Sequence, residues 1–350
     1  MEKSEKSNKH ENLLNMQILL SHGAGGEMMN KLISDSILKN LSVRDLGKVG
    51  LSDLDDGASI SLGDKEIVIS TDSYIVSPIF FPGGNIGKLA ACGTINDISM
   101  MGAKPIALSL AVIIEEGFEI SELECIIQSL DEVCRDTGVS VVTGDTKVMQ
   151  KGKLDKIIIN TTGIGITEQV IKDSNLTPGD KIILSGTVGD HGISLMSFRE
   201  EFGFETTLQS DVAPLWHMIE KALKVGGITA MRDPTRGGLA ATLNDFARRS
   251  KTGIMIYEEK IPIKPEVVAA SRMLGIDPYT VANEGKAVIG VRADRAQEML
   301  AVLRSTEQGK NAEIIGEVID RYYGKTIIET TAGSRRLMEP PIGDPVPRVC

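Results

Sequence analysis

The sequence predicts two successive units of mixed helix and sheet, each with α/β-type layering in which helices cover one face of a sheet. Three observations carry this expectation. Strand-like and helix-like segments alternate through two series of similar order. A turn cluster, Thr177, Pro178 and Gly179, separates the series. The chain has 350 residues, 41% hydrophobic and 25% charged, which suits two domains of ordinary size, each able to bury a core.

In the first series, 17–168, a helix is expected over 28–41, followed by a strand ending at 67–70. After the turn Pro82, Gly83, Gly84 comes a helix over 86–101, then the longest apolar run, 106–114, read as a strand. A helix over 121–137 follows, with the stripe Leu123, Ile126, Ile127, Leu130 and Cys134, which assigns Cys134 to core packing. Strands over 139–142 and 156–162 complete the unit. The second series holds strands at 181–185, 254–257, 287–291, 313–319 and 326–329, with helices at 213–225, 237–250 and 295–304.

Composition excludes several classes. A formal net charge of −10 and a pI near 5.1 disfavour nucleic acid or an anionic membrane surface as partner. Residues 1–15 are charged and lack an apolar core, so they are expected to be a disordered extension rather than a signal peptide or anchor. The run 106–114 is too short to span a bilayer. Cys92, Cys125, Cys134 and Cys350 form no C-x-x-C pair and no zinc-like spacing with the four histidines, so a reducing, cytoplasmic setting is expected.

The segment 338–350 carries four prolines and ends in Cys350. Proline-rich backbone is extended and semi-rigid, and thirteen residues at about 3.3 Å each reach about 40 Å. A thiol placed there is expected to serve as a mobile chemical handle rather than to pack a core. Arg348 favours the thiolate and the terminal carboxylate opposes it, so a pKa near the ordinary value of about 8.5 is expected.

The motifs that carry chemistry are acidic and glycine-rich and are expected at element ends. They are 21–26 (SHGAGG), Asp55-Asp56-Gly57, 70–73 (STDS), Asn96-Asp97, 143–147 (TGDTK) and 232–238 (RDPTRGG). Carboxylates among glycine turns bring Mg²⁺ to phosphates, and glycine backbone N–H groups take phosphate oxygens, which suggests ATP. A Walker A loop, a dinucleotide fingerprint, G-x-S-x-G and H-E-x-x-H are all missing. Glu284, in 282–285 (ANEG), can act as a general base, and Lys147 can stabilise developing phosphate charge or exchange a proton. His191 reads equally as a helix-start residue near phosphate or as structural, and His22 is similarly open.

The segments SHGAGGEMM, STDSY, FFPGGNIGKLAACGTINDISMMGA, TGDTKVMQKG, SGTVGDHG, RDPTRGG, ANEGKAVIG and PRVC, in order from about Gln17 to Cys350, resemble the HypE family of hydrogenase maturation proteins. The resemblance implies an α+β, two-domain PurM-like fold of the aminoimidazole ribonucleotide synthetase superfamily. It places an ATP-binding N-terminal domain at 16–170, a C-terminal α+β sandwich at 171–337 and a flexible tail at 338–350, and says nothing of the extension at 1–15. N-terminal domains pair into a dimeric barrel. The implied reaction is ATP-dependent dehydration of a carbamoyl group on Cys350 to a thiocyanate, which supplies the cyanide ligand of nickel-iron hydrogenase. By motif, Asp56, Asp72, Asp97 and Asp233 hold Mg²⁺, with Asp55 an alternative to Asp56. Asn96, Asp145 and Thr146 join those four in binding ATP. Glu284 is the base, Lys147 its partner and Cys350 the carrier. Implied partners are a second copy, the carbamoyltransferase HypF as donor and a HypC–HypD complex as acceptor. Other readings are a selenophosphate synthetase or thiamine-phosphate kinase of the same superfamily, or a non-catalytic carrier. Selenophosphate synthetases place their reactive residue before the glycine-rich loop, where this chain offers only Ser21 and His22.

Overall fold

The computed structural model describes residues 17–23, 25–199, 207–341, 346, 349 and 350. The expected extension at 1–15 and Arg348 lie outside the described residues. The first unit opens with helix α1 (Gly26–Leu32), which winds on as a π-helical turn (Ile33–Ile37) and a 3-10 turn (Leu38–Asn40), so the expected helix over 28–41 is helical throughout but regular only in its first part. Strands β1 (Ala58–Leu62) and β2 (Lys65–Tyr74) form an antiparallel hairpin, and the short pair β3 (Phe80–Phe81) and β4 (Gly84–Asn85) follows. Helix α2 (Ile86–Met100) starts where Asn85 caps it, its side chain accepting from the N–H groups of Gly87 at 2.9 Å and Lys88 at 3.1 Å. Then come β5 (Lys104–Glu115), α3 (Ile120–Thr137), β6 (Ser140–Met149) and β7 (Ile157–Thr167). These make a five-stranded sheet in the order β1-β2-β7-β5-β6, antiparallel except for the β5–β6 pair.

Helix α2 is buried over most of its surface because it is enclosed between this sheet, α3 and the second unit. Gly163 on β7 lets it approach, since a Cβ there would lie 2.7 Å from Thr94 Cγ2. Cys134 is buried in the α3 stripe, as its spacing predicts.

The second unit contains β8 (Lys181–Leu184), α4 (Asp190–Phe198), α5 (Trp216–Val225), β9 (Ile228–Arg232), α6 (Gly238–Arg249) and β10 (Gly253–Tyr257). It continues through α7 (Pro265–Leu274), β11 (Val288–Val291), α8 (Ala296–Arg304), β12 (Glu313–Ile319), β13 (Lys325–Glu329) and β14 (Arg335–Leu337). The seven-stranded sheet runs β14-β13-β10-β12-β8-β11-β9. Helix α7 was not expected, and α4 only as one reading of His191 as a helix-start residue, because short helices in glycine- and proline-bounded segments carry little periodic signal. One apolar cluster joins the units, running from α2 and α3 to Trp216, Ile219 and Met299, so the two sheets share a packed boundary. Among the described residues, no helix is long and apolar enough to cross a membrane.

Candidate active site

Element ends from both units converge on one cavity of about 220 Å³. The turn before β1 brings Asp55 and Asp56, β2 brings Ser70, Thr71, Asp72 and Tyr74, and α2 brings Gly93 and Asp97. The turn after β9 brings Asp233, Thr235 and Arg236, with Arg232 at the strand's end. Glu284 enters from the loop before β11, and Cys350 closes the lining. Gly93 and Asp97 reach the cavity together because residues four apart share a helix face.

At one end of the cavity, carboxylate oxygens of Asp56, Asp97 and Asp233 all lie within 4.8 Å of one another. Ser70 Oγ donates to Asp97 Oδ2 at 2.6 Å, and Arg232 Nε lies 3.0 Å from Asp56 Oδ1. The other oxygen of Asp56 is buried without a hydrogen-bond partner. Burial pushes the Asp56 carboxyl up to about 8, opposed by Arg232 and reinforced by Asp233 and Asp173. Burial likewise lifts Asp233 to about 7 against the pull of Arg232, and raises Asp97 well above the carboxylate range with further repulsion from Asp72. Crowded acids with an orphaned buried oxygen lack positive charge, and a hard divalent cation with oxygen ligands fits them.

Asp72 departs from the expectation that it belongs to this group. It lines the same cavity, within 3.4 Å of Tyr74 OH, and repels Asp97 from the side. Between the adjacent acids, Asp56 is the member of the three, while Asp55 accepts the Asp173 N–H at 3.2 Å. Arg232 also pairs with Asp173 at 2.9 Å, and Arg249 joins the same carboxylate, so a buried ion network ties the turn before β1 to β9 and α6.

The other end of the cavity holds the thiol. Arg236 Nη1 donates to Cys350 Sγ at 3.2 Å. Burial pushes the thiol up to about 11, with Arg236 pulling down and Glu284 pushing up. The described end of the tail is therefore docked, contrary to the expected mobile handle with an ordinary thiol. Val346 and Val349 are buried, and Cys350 packs against the same apolar cluster. Proline content conveys stiffness, but two valines among the prolines supply anchors. The glycine loop of 21–26 borders the segment: a Cβ on Gly26 would sit 2.9 Å from Pro341 O, and one on Gly25 would sit 3.1 Å from Arg236. Both glycines have positive φ, 77° and 70°, which other residues rarely adopt. His22 bonds locally, accepting from the Leu19 N–H at 2.9 Å.

Glu284 faces the thiol end. Its N–H donates to Asp211 Oδ1 at 3.1 Å, Lys286 Nζ holds the other Asp211 oxygen at 3.1 Å, and Glu284 Oε1 is buried without a partner. Burial raises the Glu284 carboxyl well above its ordinary range, with Asp233 and Asp211 adding to the effect. A buried carboxyl with raised proton affinity can exchange a proton with a group beside it.

Two sets of expected residues lie elsewhere. Asn96 is a buried brace: its Nδ2 donates to Ala213 O at 3.1 Å, and its Oδ1 accepts from the Leu215 N–H at 2.8 Å. One residue before Asp97 on α2 is a turn of about 100° away from the cavity. Lys147, Asp145 and Thr146 stand in mid-strand on β6, exposed, with Lys147 Nζ 2.7 Å from Asp145 Oδ2. The strand continues past the expected end at 142 and carries this motif along the sheet's edge, away from the cavity. Arg236 and Tyr74 are among the lining residues to which sequence reasoning gave no role. The RDPTRGG motif pointed to the first, but nothing local paired it with a thiol 114 residues away.

A two-domain fold whose acidic cavity sits at the junction of the units defines a class, and comparison with known proteins identifies it. Residues 54–167 match the family model of the AIR synthase related protein N-terminal domain, and residues 177–329 match that of its C-terminal domain. A putative hydrogenase expression/formation protein of Methanocaldococcus jannaschii is 52% identical over 339 residues, covering 96% of this chain and 100% of the relative. The carbamoyl dehydratase HypE of Rhizobium leguminosarum bv. viciae is 44% identical over 342 residues, covering 96% of each chain. A HypE–HypF complex structure superposes with a TM-score of 0.82 at 44% identity, over 90% of this chain and 100% of that one. A HypE structure in complex with ATP gives a TM-score of 0.79 at 41% identity, over 95% of this chain and 100% of that one. The chain belongs to the HypE family.

Proposed function

We propose that this protein is an ATP-dependent carbamoyl dehydratase that acts on its own Cys350 and so supplies the cyanide ligand in nickel-iron hydrogenase maturation. The observation that carries the reading is the meeting of Cys350, Arg236, Glu284 and three crowded carboxylates around one cavity. The carbamoyl oxygen is a poor leaving group until it bonds to the γ-phosphorus of ATP, as ADP departs and the nitrogen gives up the first of its two protons to solvent. The resulting phosphorylated imidate loses its nitrogen proton to Glu284, its C–O bond breaks, phosphate leaves and the C≡N bond forms. A raised carboxyl holds a proton easily, so Glu284 is suited to accept one from nitrogen and pass it on. Arg236 places positive charge beside the sulfur and the developing phosphate.

Asp56, Asp97 and Asp233 would hold Mg²⁺, with Asp72 beside them. The ion supplies neutralisation of phosphate charge. Lys147, Asp145 and Thr146 enter this reading through a homodimer. Among the described residues strand β6 pairs only with β5, and Val142 and Val148 on it are 62% and 69% exposed, an unprotected edge that a second copy would cover. HypF is the carbamoyl donor in this reading and a HypC–HypD complex the cyanide acceptor, in the cytoplasm. Intact-protein mass spectrometry tests the reaction: the carbamoylated protein should lose the mass of one water on addition of Mg-ATP. A carbamoyl adduct unchanged by Mg-ATP would remove the catalytic role and leave a carrier.

A further inference from the structure

Among the polar contacts of the docked segment that the reaction does not use, one lies beside the thiol. His191, at the start of α4, points its Nε2 at the Val349 carbonyl oxygen at 2.9 Å, one peptide from the reactive sulfur. Its Nδ1 lies 2.7 Å from Ser210 Oγ. Ser210 Oγ also accepts the Val212 N–H at 3.0 Å, so its own hydrogen is left to donate to Nδ1. The carbonyl can only accept, so the ring carries its proton on Nε2 and the tautomer is set from both sides. Phe81 meets the ring edge-to-face, 5.5 Å between centroids at 89°. Gly192 leaves the space beside it open, since a Cβ there would lie 2.4 Å from Val281 Cγ1 and 3.6 Å from Val346 Cγ2. The ring is fully buried.

We propose that His191 is a positioning residue that holds the Cys350 peptide in the cavity by donating Nε2–H to the Val349 carbonyl, with Ser210 and Phe81 fixing the ring. The segment has two states in this inference. Docked, the sulfur faces Arg236 and Glu284. Released, the Val349 carbonyl is paired with water and the sulfur is open to an external carbamoyl donor. The His191 contact exists only in the docked state, so it sets the balance between them. The inference deepens the dehydratase reading and depends on it only for its meaning in catalysis.

Thiol alkylation reads the released fraction directly. In the full-length protein, iodoacetamide labelling at pH 8 is followed by peptide mass mapping, with the exposed Cys125 as internal reference. His191→Phe keeps the ring packing and removes the donor. It should raise the Cys350-to-Cys125 labelling ratio about tenfold, the effect of one buried hydrogen bond. His191→Gln retains an N–H near the position of Nε2 and should stay within about threefold of the wild type. An unchanged ratio in His191→Phe overturns the proposal, and so does an equal rise in both variants. If His191→Phe does not fold, Ser210→Ala should still raise the ratio about threefold by freeing the ring, and no rise there overturns it. Labelling needs neither ATP nor a carbamoyl donor. Failure of the dehydratase reading would therefore show as no ATP-driven mass loss in the wild type, with these ratios intact.

Discussion

The two ends of the cavity are built on different principles. The acidic end is made of groups that repel one another: Asp56, Asp97 and Asp233 crowd within 4.8 Å and are held there by Ser70, Arg232 and a buried ion network. The thiol end is made of groups that attract: Arg236 to sulfur, His191 to the Val349 carbonyl, Val346 and Val349 to the core. Repulsion held in place waits for a ligand, whereas attraction already satisfied describes a docked state that has to be undone. The cavity thus stores its demand for cations at one end and a reversible dock at the other.

Substitutions at the thiol end should separate chemistry from binding most sharply. Cys350→Ala should abolish the thiocyanate product while nucleotide affinity stays within about twofold, because the cation end does not include the sulfur. A comparable loss of nucleotide affinity in calorimetric titration would mean that the two ends are one. Glu284→Gln should accept the carbamoyl group yet slow its loss of water by about 100-fold or more, the usual scale of a general base. Accumulation of the cyano form at the normal rate would remove Glu284 from catalysis.

The cation end predicts the opposite pattern. Asp97→Asn should weaken Mg-ATP binding by about tenfold, since one anionic ligand is lost. Unchanged affinity at saturating Mg²⁺ would place the cation elsewhere. Stability should also respond to pH in a definite direction. Asp56 rises from an ordinary 3.8 to about 8 in the folded protein, so its contribution to folding is fully present below about 3.8 and is lost as pH climbs to about 8. Without divalent ions, the melting temperature should fall between pH 5 and pH 8, and Mg²⁺ should largely restore it. A melting temperature that rose over that range without Mg²⁺ would contradict the crowded-acid account. The smallest effect expected is at the brace between the ends. Asn96→Ala leaves the Leu215 N–H without its acceptor and should cost about 2 kcal/mol, read from the urea midpoint, with dehydration reduced far less than by Glu284→Gln.

Several features were legible in the linear chain because their physics is local. The Asp-Gly and Gly-Gly turns, the stripe that buries Cys134 and the choice of Asp56, Asp72, Asp97, Asp233 and Glu284, which line one cavity, all follow from spacing, turn residues and motif resemblance. Other features depend on where distant segments meet. Lys147 on an exposed edge strand, Asn96 turned into the core, and Asp72 beside rather than within the three-carboxylate group were decided by strand length, helix phase and sheet register. The tail shows the division most clearly. Its prolines announce stiffness and its cysteine announces chemistry, and both are properties of residues. Whether the sulfur is free or docked depends on Arg236, 114 residues earlier, and on His191, 158 residues before the carbonyl it holds. Hydrogen bonds and burial act through space, so only the tertiary structure could raise that thiol to about 11 and set it facing Glu284.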